Sequence, residues 1–170
     1  MKKPCTAVCA LMPFVMSAYG EAMPSKIAVE FEKRWTKTRK MAVGVAEAMP
    51  PAQYAFKPDP PVMTFGEQMT HIASANYAFC AALKGVKAPN TPDPAEKIAI
   101  VKFVGDSFDF CSSAIANLTD EQLDKTYSTP DGKLTGRETL LALYVHMAHH
   151  RGQAEEYLRI KGIAPPPYVF

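Results

Sequence analysis

Apolar residues at spacings of three and four recur in four separate runs of this 170-residue chain, and each run is fenced by residues that start or stop helices. That spacing stacks side chains along one face of an α-helix. Ile27, Phe31, Trp35, Thr38, Met41, Val45 and Met49 form the first stripe and predict a helix over residues 25–49. Pro50 and Pro51 end it, and residues 50–61 hold too many prolines, each lacking an N–H, for regular structure. Thr64-Phe-Gly-Glu67 then reads as a capping box, in which hydroxyl and carboxylate each satisfy the other residue's backbone N–H. The helix behind it runs to about Lys84, with Phe65, Ile72, Phe79 and Leu83 on its apolar face and Ala75, Ala78 and Ala82 beside them.

After a loop at 85–90, Asp93 is placed to cap a third helix with Pro94 in its first turn, and Val101, Val104, Phe108, Cys111, Ile115 and Leu118 make its stripe. Thr119 to Gln122 reads as a further capped turn, and the Pro-Asp-Gly turn within 128–133 can close a small hairpin. Thr135-Gly-Arg-Glu138 opens the last long helix, which turns Leu140, Leu143, Met147, His150, Ala154 and Tyr157 inward and ends at Gly162. Four amphipathic helices with little strand signal predict an all-α, antiparallel-type four-helix bundle. With 48% apolar residues the chain suits one domain with a real core.

The N-terminus is of another kind. Lys2 and Lys3 precede an uncharged, largely apolar run over 7–19 and the small residues Ala18 and Gly20, the order found in a secretory signal peptide. We read residues 1–20 as that signal and 21–170 as the bundle domain, periplasmic or secreted. The run is short for a bilayer span and no later stretch is long enough, so no membrane association is expected after cleavage. Removing residues 1–20 takes away two lysines and no acid, so the formal charge falls from +2 to zero. A neutral chain without a basic run has no electrostatic footprint for nucleic acid.

Three of the four histidines fall within residues 146–150 of the last helix. His146 and His150 are one turn apart on the inward stripe, about 40° from each other, whereas His149 points about 100° away toward an edge or solvent. Two imidazoles so spaced can converge on one ion. His71, on the second helix beside the small residues Ala75 and Ala78, is the remaining histidine and the third candidate ligand. Three neutral imidazoles leave a coordination position for water or substrate. The bland alternative is a hydrogen-bonded core cluster, the ordinary fate of an interior histidine. Met147 stands where a zinc protease has its glutamate base, so that chemistry is excluded, and no residue is assigned a catalytic role. Glu67 lies one turn before His71, but its capping role accounts for it. Arg151 and Gln153 read as edge residues near the site, and Trp35, Phe31 and the methionines as core.

Three segments together resemble a known family: Tyr54-Ala-Phe-Lys-Pro, Thr64-Phe-Gly-Glu-Gln-Met-Thr-His-Ile, and His146-Met-Ala-His-His-Arg-Gly-Gln153 leading to Tyr157-Leu-Arg-Ile-Lys-Gly-Ile-Ala-Pro-Pro166. They are similar to the DinB-like (damage-inducible) four-helix bundles, which include thiol-dependent transferases. The resemblance implies a divalent metal, zinc or nickel first and iron also suited, held by His71, His146 and His150. It also implies a homodimer and a parallel second and third helix. The expected function is a metal-dependent enzyme of hydrolase or thiol-transferase type acting on a small-molecule substrate. The alternative is a non-catalytic bundle that binds metal or a small ligand. Export weighs against free thiols as substrates, because oxidising compartments favour disulfides.

Cys80 and Cys111 remain after cleavage, as either a disulfide or two buried thiols. Cys111 lies in its helix's stripe, whereas Cys80 lies about 100° from the centre of its own. Under the implied parallel topology both sit at similar distances from their helix starts, although a connection of roughly ten residues barely spans such a helix.

Overall fold

The computed structural model describes residues 23–169; the expected signal segment, 1–20, lies outside them. The long helices are α1 (Lys26–Ala48), α2 (Phe65–Lys84), α3 (Lys97–Ile115) and α5 (Gly136–Ile160), with a short α4 (Asp120–Asp124) and a hairpin of β1 (Thr126–Thr129) and β2 (Gly132–Thr135) before α5. Ser25 caps α1, and all three expected boxes form, at Thr64/Glu67, Thr119/Gln122 and Thr135/Glu138. The hairpin pairs Thr126 with Thr135 and Thr129 with Gly132 around the Pro130-Asp131 turn.

The bundle closes as a ring in which α1 meets α3, α3 meets α2, α2 meets α5, and α5 returns to α1. Trp35 donates its indole N–H to the Phe108 carbonyl at 3.2 Å, and Lys97 reaches the Glu47 and Met49 carbonyls, so α1 and α3 run antiparallel. Asn76 meets Ser107, Cys80 meets Cys111, and Lys84 meets Ser113, so α2 and α3 run parallel. An all-antiparallel ring is therefore corrected to an up-down-down-up order, as the family resemblance implied. The connection over 85–96 returns the length of α2 and brings the Pro94 carbonyl over Gly66. A Cβ there would stand 1.8 Å from that oxygen, which only glycine avoids.

The third helix starts later than expected. Asp93 caps a turn, accepting from the Ala95 N–H with Oδ1 and from the Glu96 N–H with its carbonyl, and α3 begins at Lys97. Cys80 is fully buried with Met69, Ala73 and Asn76, because α2 packs on two neighbours and hides more than one stripe. The cysteines form a disulfide across α2 and α3, with Cα atoms 5.3 Å apart. Ile27, expected inward, is exposed. It lines a groove of about 1230 Å³ between α1 and α5, with Phe31, Leu140, Leu141 and Tyr144.

Candidate metal centre

The antiparallel seam of α2 and α5 brings the predicted histidines to one level. His71 comes from the second turn of α2, and His146 and His150 from the middle of α5. The Nε2 atoms of His71 and His146 lie 3.0 Å apart. Ring centroids stand 4.4 Å apart for His71 and His150, and 4.4 Å for His146 and His150. One nitrogen from each residue lies within 4.8 Å of those of the other two. All three side chains are partly buried, so the cluster keeps a face toward solvent. His149 is exposed, as its helical phase requires.

Burial pushes the pKa of His71 and His146 below the ordinary histidine range, and for His146 the neighbouring His71 and His149 add to this while Asp131 opposes it. His150 is lowered to about 4, by burial first and then by His146, His71 and His149. Neutral imidazoles are the form that donates to a metal. Two nitrogens bound to one ion at about 2.0–2.1 Å lie about 2.9 Å apart at a right angle and about 3.3 Å apart at the tetrahedral angle. The 3.0 Å separation of His71 and His146 falls inside that interval. The donor set and its spacing fit a divalent ion of the zinc, nickel or iron type.

Gln68, which the sequence reading did not single out, is 2% exposed and holds the outer side of His150. Its amide nitrogen lies 2.7 Å from His150 Nδ1, 3.2 Å from the His150 carbonyl oxygen and 2.6 Å from Gln153 Oε1. Gln153 also meets His150 Nδ1 at 3.2 Å and, through Nε2, His149 Nε2 at 3.0 Å. The signal for Gln68 was its place three residues before His71, a helical neighbour position. His146 Nδ1, by contrast, is buried with no partner among the described residues.

Glu67 stays at its cap, accepting from the Thr64 N–H at 2.7 Å, which lowers its pKa. Arg151 is a salt-bridged group rather than a solvated one. It is 8% exposed, pairs with Glu155, touches Met41 Sδ and lies under the Tyr168 ring at 5.7 Å. It ties α5 to α1 and the C-terminal tail, away from the histidines.

The family model described as the DinB superfamily matches residues 34–154. The Bacillus subtilis protein YjoA is 27% identical over 135 residues, covering 76% of this chain and 88% of that protein. Its crystal structure, described as that of a DinB-like protein, superposes with a TM-score of 0.69 at 24% identity, covering 82% of this chain and 96% of that one. A DinB-like protein from Bacillus cereus gives a TM-score of 0.65 at 19% identity over 82% and 95% of the two chains.

Proposed function

The chain belongs to the DinB superfamily, and on that footing we propose that it is an exported protein holding one divalent metal ion on His71, His146 and His150, with hydrolysis or thiol transfer as its reaction. The observation that carries this reading is the convergence of three imidazoles from facing helices to within 4.8 Å. A bound ion would supply Lewis acidity at an open position, lowering the pKa of a water or thiol placed there. The chain's own residues do the rest. Burial keeps the imidazoles unprotonated, Gln68 and Gln153 hold His150, and the exposed edge of the cluster admits a small molecule.

Two features support export: the basic, apolar, then small-residue order of 1–20, and the Cys80–Cys111 bond, since disulfides persist in oxidising compartments. The disulfide also favours water over a low-molecular-weight thiol as the nucleophile, because free thiols are scarce where disulfides last. In the non-catalytic reading the ion merely ties α2 to α5, and the solvent-facing side of the cluster weighs against it.

Metal content measured by elemental mass spectrometry on protein purified without a metal-binding tag tests the reading. Near-stoichiometric metal in the wild type, lost in His146→Ala/His150→Ala, is expected. Negligible metal in both proteins after incubation with zinc or nickel would overturn it.

A further inference from the structure

The geometry around His150 points to Gln68 as a positioning residue, and we propose that its side-chain amide, together with that of Gln153, sets which nitrogen of His150 carries the proton. The inference rests on the metal reading above and extends it to a residue outside the ligand set. As placed, the Gln68 amide nitrogen has two hydrogens and three partners: His150 Nδ1, the His150 carbonyl and Gln153 Oε1, at 2.7, 3.2 and 2.6 Å. Two contacts compete at Nδ1: the Gln68 donor at 2.7 Å requires a lone pair there, whereas Gln153 Oε1 at 3.2 Å would take a proton from it, and the shorter contact prevails. The proton of neutral His150 then sits on Nε2, the nitrogen left for the cluster, and that nitrogen cannot bind an ion.

A second arrangement of the same atoms removes this conflict. Amide oxygen and nitrogen are alike in shape, so each glutamine can turn end for end without moving its neighbours. With both turned, Gln68 Oε1 accepts from His150 Nδ1–H and from the Gln153 amide, and Gln153 Oε1 accepts from His149 Nε2–H. The contacts at 2.7, 2.6 and 3.0 Å all survive with donor and acceptor exchanged. His150 Nε2 then presents its lone pair to the ion. One proton passes from Nε2 to Nδ1 through solvent, and none is gained or lost.

What the turn gives up is the 3.2 Å contact to the His150 carbonyl, where oxygen would face oxygen, and it sets the Gln153 amide nitrogen 3.2 Å from His150 Nδ1–H, donor against donor. The metal-free protein therefore keeps the first setting and the loaded protein takes the second. His146, by contrast, has no partner on its Nδ1 among the described residues, so no side chain sets its tautomer from that side.

Zinc affinity by chelator competition and the His150 tautomer by nitrogen-15 NMR test this in wild type, Gln68→Leu, Gln68→Glu and the exposed-site variant Gln153→Leu. A carboxylate can only accept, so Gln68→Glu should hold Nδ1–H without metal and bind zinc at least as tightly as wild type. Gln68→Leu should bind zinc about 10–100-fold more weakly, the usual loss on removing a group that orients a ligand. Metal-free wild type should show His150 with its proton on Nε2, and so should Gln153→Leu, which removes the competing acceptor at Nδ1 and leaves the two Gln68 amide hydrogens to Nδ1 and the carbonyl. Equal weakening in the Leu and Glu variants would make Gln68 a mere strut and overturn the proposal, as would unchanged affinity in Gln68→Leu or Nδ1–H in metal-free wild type. Should wild type bind no zinc, the metal reading fails, while the metal-free spectra still decide what Gln68 and Gln153 do to His150.

Discussion

Cutting the Cys80–Cys111 bond should cost this protein a large share of its stability, and the amount can be worked from the loop it closes. The bridge spans a sequence separation of 31 residues. Releasing a loop of that length returns about 12 cal/mol/K of entropy to the unfolded chain, or about 3.7 kcal/mol at 25 °C. The native state gives little of this back. Both cysteines are fully buried, and a reduced Cys111 thiol would find the Asn76 carbonyl 3.2 Å away as an acceptor. For a domain of this size each kcal/mol moves the melting temperature by about 2–4 °C, so a fall of about 7–15 °C is expected. The assay is thermal unfolding followed by circular dichroism, with and without a phosphine reductant, beside Cys80→Ala/Cys111→Ala. Thiol alkylation should confirm that reduction went to completion. Equal melting temperatures in oxidised and fully reduced protein would refute the reasoning, since a cross-link that constrains the unfolded chain cannot be removed without effect.

Acid should destabilise the metal-free protein before it reaches the carboxylates. Native His150 titrates at about 4 and His71 and His146 are also lowered, so below the ordinary histidine value near 6.5 the unfolded chain binds protons the native state refuses. Stability then rises with pH across that window. The urea midpoint should be lower at about pH 5 than at about pH 7.5, and less so in His150→Gln; a flat profile would refute the depressed values. Gly66→Ala should lose about 3 kcal/mol in urea unfolding, the upper end for overpacking, because the obstacle is the Pro94 backbone; an unchanged midpoint would contradict that close approach. Arg151→Met alone should cost about 2 kcal/mol by taking the nearer of two cations from Glu155 and leaving it only Arg159 at 3.9 Å, whereas Arg151→Met/Glu155→Leu should recover most of it, and equal losses in both would place the cost elsewhere.

Features that depend on a few consecutive residues were legible from the sequence. Thr64, Thr119 and Thr135 cap helices through neighbours three residues away, so these helix starts need no tertiary information. The Pro130-Asp131 hairpin and the convergence of His146 with His150 are local in the same sense. Asp93 was ambiguous because the same side chain caps a turn or a helix, and the chain beyond it decides which.

The direction of α3 was not local at all. Residues 85–96 can extend to about 40 Å, against about 30 Å for α2, so the loop permits return but does not dictate it. Stripe phase failed where burial is two-sided, as at Cys80, or where a seam stays open, as at Ile27. Gln68 was missed because a glutamine on a helix is ordinarily solvated, and its burial arises only when α5 docks on α2.

The disulfide and the histidine cluster share one helix. The disulfide fastens α2 to α3, and the histidines gather on α2 and α5, while among the described residues α1 has neither kind of link. It is held by the Trp35 and Phe108 contact, by hydrogen bonds and by the Arg39–Asp109 ion pair, and it faces α5 across an open groove. Hydrogen exchange in α1 should therefore outpace that in the other long helices. The molecule has a covalently stapled α2–α3 pair against which α1 is held by non-covalent contacts alone, so a reductant that opens the disulfide should narrow the difference in exchange between α1 and α2.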